Sequence, residues 1–345
     1  GRERLGCDRP DGGSMIGIVA SQMRAIALAV GVGMAWVLRT TPVDDKSWGR
    51  VCWSPELGVA AAVGYSGTGN RAMTSLNGIN WTGRATTAAD SNWRGVCWAP
   101  ALGLFVAVAE TGTQRVMTSP NGQVWTGRTA AAANSWRSVC WSPSLSLFVA
   151  VAASGTGNRV MTSPNGTTWT IRTSAANNWW NDVCWAPALG LFVAVAATNT
   201  TTCVMTSPNG TTWTLRNGVT GFLWRSVCWS PELGLLVAVA AGAGSGTRVM
   251  TSPDGLTWTA RATPADNDWY SVCWAAEAGL FVAVASTGTG DGVGKRVMTS
   301  PNGIDWTLRP TPADNGWNGV CWAPALGRLI AVANTGTGDR VMTSE

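Results

Sequence analysis

Residues 136–172 read WRSVCWSPSLSLFVAVAASGTGNRVMTSPNGTTWTIR. Four short apolar runs, at 138–141, 147–152, 159–163 and 168–172, are separated by Ser-Pro-Ser-Leu-Ser, Ser-Gly-Thr-Gly-Asn and Pro-Asn-Gly. These breaks are turn chemistry, because Pro presets φ and Asn-Gly accepts positive φ. No sustained helical period interrupts them, so the stretch predicts four short strands.

The same frame recurs along the chain. Val-Cys-Trp occurs seven times, with cysteines at Cys52, Cys97, Cys140, Cys184, Cys228, Cys273 and Cys321, spaced 43 to 48 residues apart. Each copy has a Trp four residues before the Cys, and in the six complete copies Val-Met or Ala-Met precedes Trp-Thr-x-Arg at a Met-to-Trp interval of eight. Four strands in about 44 residues is the unit of a β-propeller blade. The expectation is an all-β, seven-bladed propeller of four-stranded antiparallel blades.

The two chain ends support the count independently. The seventh copy stops at Ser344 and Glu345 without its Trp-Thr-x-Arg strand, and residues 33–39, GMAWVLR, supply that strand. An N-terminal strand is thus expected to complete the last blade, which leaves no open edge in the ring. The propeller is placed at 32–345 and an N-terminal extension at 1–31. Two readings of the extension stand: its apolar stretch resembles a secretory signal or membrane anchor, or it holds strand relics of a lost blade. It is also the candidate segment for self-assembly or membrane contact.

Composition narrows the chemistry. The 345 residues include 42 Gly, 22 Trp and no His, with 12% charged residues and a formal net charge of +5. That excludes a coiled coil, a disordered chain and any mechanism using imidazole as base or ligand. The positive charge is mild and evenly spread, so nucleic acid is not an expected partner. The cysteines form no CxxC pattern, so no metal and no cofactor are expected, and the seven repeated thiols are expected to be reduced and packed beneath the neighbouring blade.

Three Trp per blade serve two expected roles. Those of Val-Cys-Trp and Trp-Thr-x-Arg are read as packing. The Trp opening each first strand adjoins polar linker residues and is read as a partly exposed ring. The candidate ligand-binding residues are therefore Trp48, Trp93, Trp136, Trp180, Trp224, Trp269 and Trp317, with Asp90 and Asp268 beside them. Arginines also recur, after the fourth-strand Trp (Arg39, Arg84, Arg128, Arg172, Arg216, Arg261, Arg309) and before the Met (Arg71, Arg115, Arg159, Arg248, Arg296, Arg340). Pairing with linker aspartates is their structural reading, and binding of an anion or acidic sugar their functional one.

The Ser-Pro-Asn-Gly-x-x-Trp segments at 119–125, 163–169, 207–213 and 300–306, with Ser-Pro-Asp-Gly-x-x-Trp at 252–258, resemble the Asp-box or BNR repeat of sialidase-like propellers. One residue is missing between Asp/Asn and Gly, so the likeness is of fold type. Sialidase chemistry, as the resemblance implies it, needs three arginines, a Tyr paired with Glu, and an Asp. Tyr65 and Tyr270 are the two tyrosines, neither with a Glu nearby in sequence, and Glu110, Asp182, Asp291 and Asp305 are the acids outside the repeat. Near-identical blades suggest repeated or structural use, so the chain is expected not to be an enzyme. The leading expectation is a lectin-like binding or adhesion propeller, extracellular or surface-associated, with repeated shallow sites for glycan or another surface ligand. A structural module of a cell surface, filament or virion is the alternative, and a glycoside hydrolase the third.

Overall fold

The computed structural model describes residues 31–42, 46–67, 69–87, 91–198, 200–242, 245–288 and 294–344. Residues 1–30 and 345 lie outside these, and with them the readings of the N-terminal extension. Seven four-stranded antiparallel sheets form a ring. Blade 3 (136–172) is typical, with strands Trp136–Ser142, Leu147–Ala152, Val160–Ser163 and Thr170–Arg172. First strands of successive blades pack side by side and line a central channel.

The ring closes as the sequence implies. Trp36 pairs with Ser344 and Arg39 with Val341, so Trp36–Arg39 is the outer strand of blade 7. Trp36 Nε1 donates to Gly33 O at 3.2 Å, the bond that Trp169 Nε1 makes to Gly166 O at 3.0 Å inside blade 3.

Packing between blades comes from the two faces of each second strand. Phe148, Ala150 and Ala152 turn toward Val106 and Val108 of blade 2, while Val149 and Val151 turn toward Trp180 and Val183 of blade 4. Bulky and small residues thus alternate between facing sheets, as close packing requires. Phe148 sits 4.5 Å from the Trp141 ring and 6.2 Å from Trp169, so the Val-Cys-Trp and fourth-strand indoles are packing groups.

The turn between third and fourth strands is self-bonded. In blade 3, Asn165 Oδ1 accepts from Thr167 N and Thr168 N at 3.0 and 2.9 Å, and Gly166 N donates to Ser163 Oγ at 2.8 Å. Gly166 has φ +74°, and a Cβ there would lie 2.9 Å from Val106 of blade 2. Glycine is required both by the backbone and by the neighbouring blade.

The repeated arginines tie loops rather than free carboxylates. Arg172 Nε donates to Thr162 Oγ1 at 2.9 Å, and Arg159 donates to the carbonyls of Gly155, Ala153 and Asn178. Linker aspartates join in at Arg248, with Asp266 and Asp268, and at Arg296, with Asp314. Among the described residues the expected Arg–Asp pairing is seen in two blades, and backbone carbonyls take its place at Arg159.

Candidate functional site

The seven opening tryptophans do not form an exposed ring. Trp48 is 2% exposed and Trp93, Trp136, Trp180, Trp224, Trp269 and Trp317 are 0% exposed. In four blades the linker folds over the ring, with Nε1 of Trp136, Trp180, Trp224 and Trp317 donating to the carbonyls of Ala132, Ala176, Val219 and Ala313, while Nε1 of Trp48, Trp93 and Trp269 is buried without a partner among the described residues. The expectation of partly exposed indoles is corrected, since polar neighbours in sequence supply backbone carbonyls rather than solvent. Asp268 accepts from Gly242 N, Arg248 and Thr287 and is held as a loop tie. Asp90 lies outside the described residues.

The residue after each Trp has a different fate. In all seven blades the register of the first two strands slips between the Trp and the residue two positions on. Such a bulge leaves one residue out of the ladder and re-aims its side chain. The seven bulged residues, Gly49, Arg94, Arg137, Asn181, Arg225, Tyr270 and Asn318, all line the mouth of the central channel, joined by Arg50, Tyr65 and Asn334 around a cavity of about 240 Å³.

This mouth is asymmetric. Five described arginines stand outside the repeated positions, and four of them, Arg50, Arg94, Arg137 and Arg225, are here; Arg328 is elsewhere. Glu110 bridges Arg94 and Arg137 at 2.6 and 2.9 Å, and Asp182 pairs with Arg50 at 3.3 Å. Four cations against two carboxylates leave a local excess of positive charge. Arg225 has no ion-pair partner among the described residues and stacks over Tyr270 at 4.8 Å, while Arg94 lies 3.6 Å over Tyr65. Burial, opposed by Glu110 and reinforced by Arg94 and Arg225, pulls the Arg137 pKa below its ordinary value.

Two further features prepare the site for a ligand. The side-chain Nε atoms of Arg137 and Arg225 and the Oδ1 of Asn318 are buried without hydrogen-bond partners among the described residues. Asn318 is 6% exposed, so its orphan acceptor is costly unless a donor reaches it. The residue that follows the partner of the opening Trp on the second strand is Tyr65, Glu110 and Asn334 on blades 1, 2 and 7 but Ala153, Ala197 and Ala241 on blades 3 to 5. Tyr65 and Asn334 line the mouth while the three alanines do not, and Trp179, two residues before the mouth residue Asn181, is 60% exposed.

The deeper wall is thiol-lined. The seven repeated cysteines are free and each packs against the following blade, as Cys97 does against blade 3. Each is partly exposed as a residue, yet the surrounding protein denies solvation to a thiolate, and burial raises their pKa, to about 12 for Cys321. Among the described residues no group of His, Cys, Asp and Glu is placed to hold a metal ion.

Neither a protein-family model nor a curated protein matches the chain. Solved structures do. Virginiamycin B lyase from Staphylococcus aureus with quinupristin superposes with a TM-score of 0.74 at 9% identity, covering 90% of this chain and 99% of that one. YCF48 bound to a D1 peptide gives 0.64 at 13% identity, with 90% and 94% coverage. A GH74 enzyme from Niastella koreensis gives 0.69 at 14% identity, with 91% and 53% coverage. At such identities the likeness shows the seven-bladed fold alone. The expectation that the chain is not an enzyme is corrected by these neighbours: an enzyme, virginiamycin B lyase, has this fold across nearly its whole length. Evenness of the blades gives no ground for excluding catalysis, and the mouth is not even.

Proposed function

We propose that this protein recognises an acidic saccharide at the arginine-lined mouth of its central channel. The observation that carries the reading is the convergence of Arg50, Arg94, Arg137 and Arg225, four of the five described arginines outside the repeat, on one cavity. The unpaired Nε groups of Arg137 and Arg225 suit a carboxylate. The orphan Oδ1 of Asn318 requires a donor, which a sugar hydroxyl supplies and an acceptor-only anion such as sulfate does not. Asn181 and Tyr65 add hydrogen-bonding capacity, and the exposed indole of Trp179, two residues before Asn181, offers a flat face.

This replaces seven shallow sites by one. The repeated indoles are buried, so the repeat builds the scaffold and the variable bulge position builds the recognition surface. Propellers of the same shape occur with quinupristin and with a D1 peptide, which agrees with a ligand-binding use of the fold. The likeness to Asp-box repeats adds support only for the third-to-fourth-strand turn. Titration with galacturonic acid oligosaccharides beside neutral galactose oligosaccharides tests the proposal.

A further inference from the structure

The indole N–H groups of the seven Val-Cys-Trp tryptophans divide into two sets, and the division follows one position in the preceding blade. Glu56 in the first turn of blade 1 accepts from Trp98 of blade 2 at 2.6 Å. Glu232 of blade 5 accepts from Trp274 of blade 6 in the same way, and Glu277 of blade 6 from Trp322 of blade 7. The corresponding residues of the other blades are Ala101, Ser144, Ala188 and Ala325. The indoles that follow them, Trp141, Trp185, Trp229 and Trp53, bury their Nε1 without a partner among the described residues. Every blade preceded by a Glu is satisfied, and every blade preceded by a small residue is not.

Three of the four orphans, Trp141, Trp185 and Trp229, are consecutive around the ring in blades 3, 4 and 5. These turns lie at the end of the channel opposite the arginine mouth, because the first strands run from the mouth to them. A largely apolar groove of about 430 Å³ opens between blades 3 and 4, lined by Trp141, Trp185, Pro143, Pro187 and Ser144. Ser144 stands where a Glu would bridge to Trp185. The exposed Leu57, Leu102, Leu145 and Leu233 occupy turn tips of blades 1, 2, 3 and 5 on the same face, so Leu102, Leu145 and Leu233 flank the three orphan indoles.

We propose that this face docks a carboxylate-bearing peptide segment of a partner protein across blades 3 to 5. The protein itself displays the chemistry that fits: in blades 2, 6 and 7 the same N–H is met by a carboxylate arriving over the turn of the blade before. A buried indole N–H left unpaired costs stability, so an incoming Glu or Asp side chain gains a charge-assisted bond at each orphan. Apolar residues of the segment cover the groove and the leucines at its rim. The mouth at the other end of the channel takes no part.

The test uses the full chain with the indole nitrogens isotopically labelled, and the probe peptide acetyl-Leu-Glu-Ala-Glu-Ala-Glu-Leu-amide beside its Gln-for-Glu counterpart. The Glu peptide should move the indole N–H resonances of Trp141, Trp185 and Trp229 and leave Trp98, Trp274 and Trp322 in place, with the Gln peptide about tenfold weaker. The triple variant Ala101→Glu, Ser144→Glu, Ala188→Glu supplies its own carboxylates. It should bind the Glu peptide at least about tenfold more weakly while melting no lower than the parent. Undiminished binding to the filled variant, including binding through the arginine mouth, overturns the proposal. So does an absence of shifts at the three indoles, or a filled variant that melts lower, since then these N–H groups do not donate to carboxylates.

Discussion

Arg50 and Asp182 meet across the central channel, Nη2 to Oδ2 at 3.3 Å, and tie blade 1 to blade 4. Asp182 also accepts from Ser138 and Ser226 at 2.6 and 2.7 Å and from Val227 N at 3.0 Å, while Arg50 donates to Ser271 at 2.8 Å. Five blades thus converge on one ion pair at the base of the mouth. Gly319 and Gly95, at the positions flanking Arg50 in the ring, leave no room for a Cβ: one there would lie 2.9 Å from backbone of the next blade.

Breaking that pair from one side should be expensive. Asp182→Ala leaves the Arg50 guanidinium enclosed without its carboxylate and is expected to cost about 3 kcal/mol. The pair Arg50→Met, Asp182→Leu should recover most of that loss. Urea unfolding of the three variants measures it, and equal losses for single and double variants would show that the ion pair is not the source.

The linker-side indoles are structural, and two neighbours separate the roles. Trp180→Ala should cost roughly 3 to 5 kcal/mol, as expected for a buried aromatic. Trp179→Ala, one residue earlier but exposed, should change stability by less than about 0.5 kcal/mol. Thermal melts of both variants check this, and Trp179→Ala should weaken saccharide binding without moving the melting point.

Asp254 stands in its blade turn where five other blades have Asn and the closing blade has Val32. The backbone N–H groups of Thr257 and Leu256 and the hydroxyl of Ser252 hold its carboxyl below the ordinary carboxylate range. A depressed folded-state pKa contributes stability above the unfolded pKa and loses it as pH falls through the folded value. Relative to Asp254→Asn, the parent should therefore lose melting temperature as the solution is acidified through that range. A constant difference between the two proteins down to strong acid would contradict the assignment.

The channel thiols should be slow to react. Burial raises the pKa of all seven, to about 12 at Cys321, and Cys203 rises to about 11. At pH 8 few thiolates exist, so a thiol reagent should label these positions mainly after unfolding. Rapid native-state labelling of the channel cysteines, read by mass spectrometry, would show that the channel solvates them.

Blade number, strand order and the closing seam were legible because each depends on repeated residues: the turn glycines, the alternation of Phe148, Ala150 and Ala152, and the stand-in of Gly33 and Trp36 for Gly166 and Trp169. The recognition surface was hidden for the opposite reason. Arg94, Arg137 and Arg225 follow the repeated Trp and precede a second variable position, and their sequence neighbours say nothing of a bulge that turns them into the channel. The usable signal was variability itself, since the two residues between the constant Trp and Val vary from blade to blade, the first running Gly, Arg, Arg, Asn, Arg, Tyr, Asn. Exposure of the Trp beside it was misjudged because a polar linker can fold back and cover a ring with its own carbonyls.

The central claim is that one asymmetric mouth, and not the repeated blades, recognises an acidic saccharide. Isothermal titration of trigalacturonic acid into the full chain, with galactotriose as the neutral control, tests it most directly. The account predicts one site per chain, weakening as salt screens the arginines, and a loss of at least about tenfold in affinity for Arg225→Ala and for Arg137→Ala. Several equivalent sites per chain, equal binding of the neutral trisaccharide, or affinity unchanged in both arginine variants would contradict it.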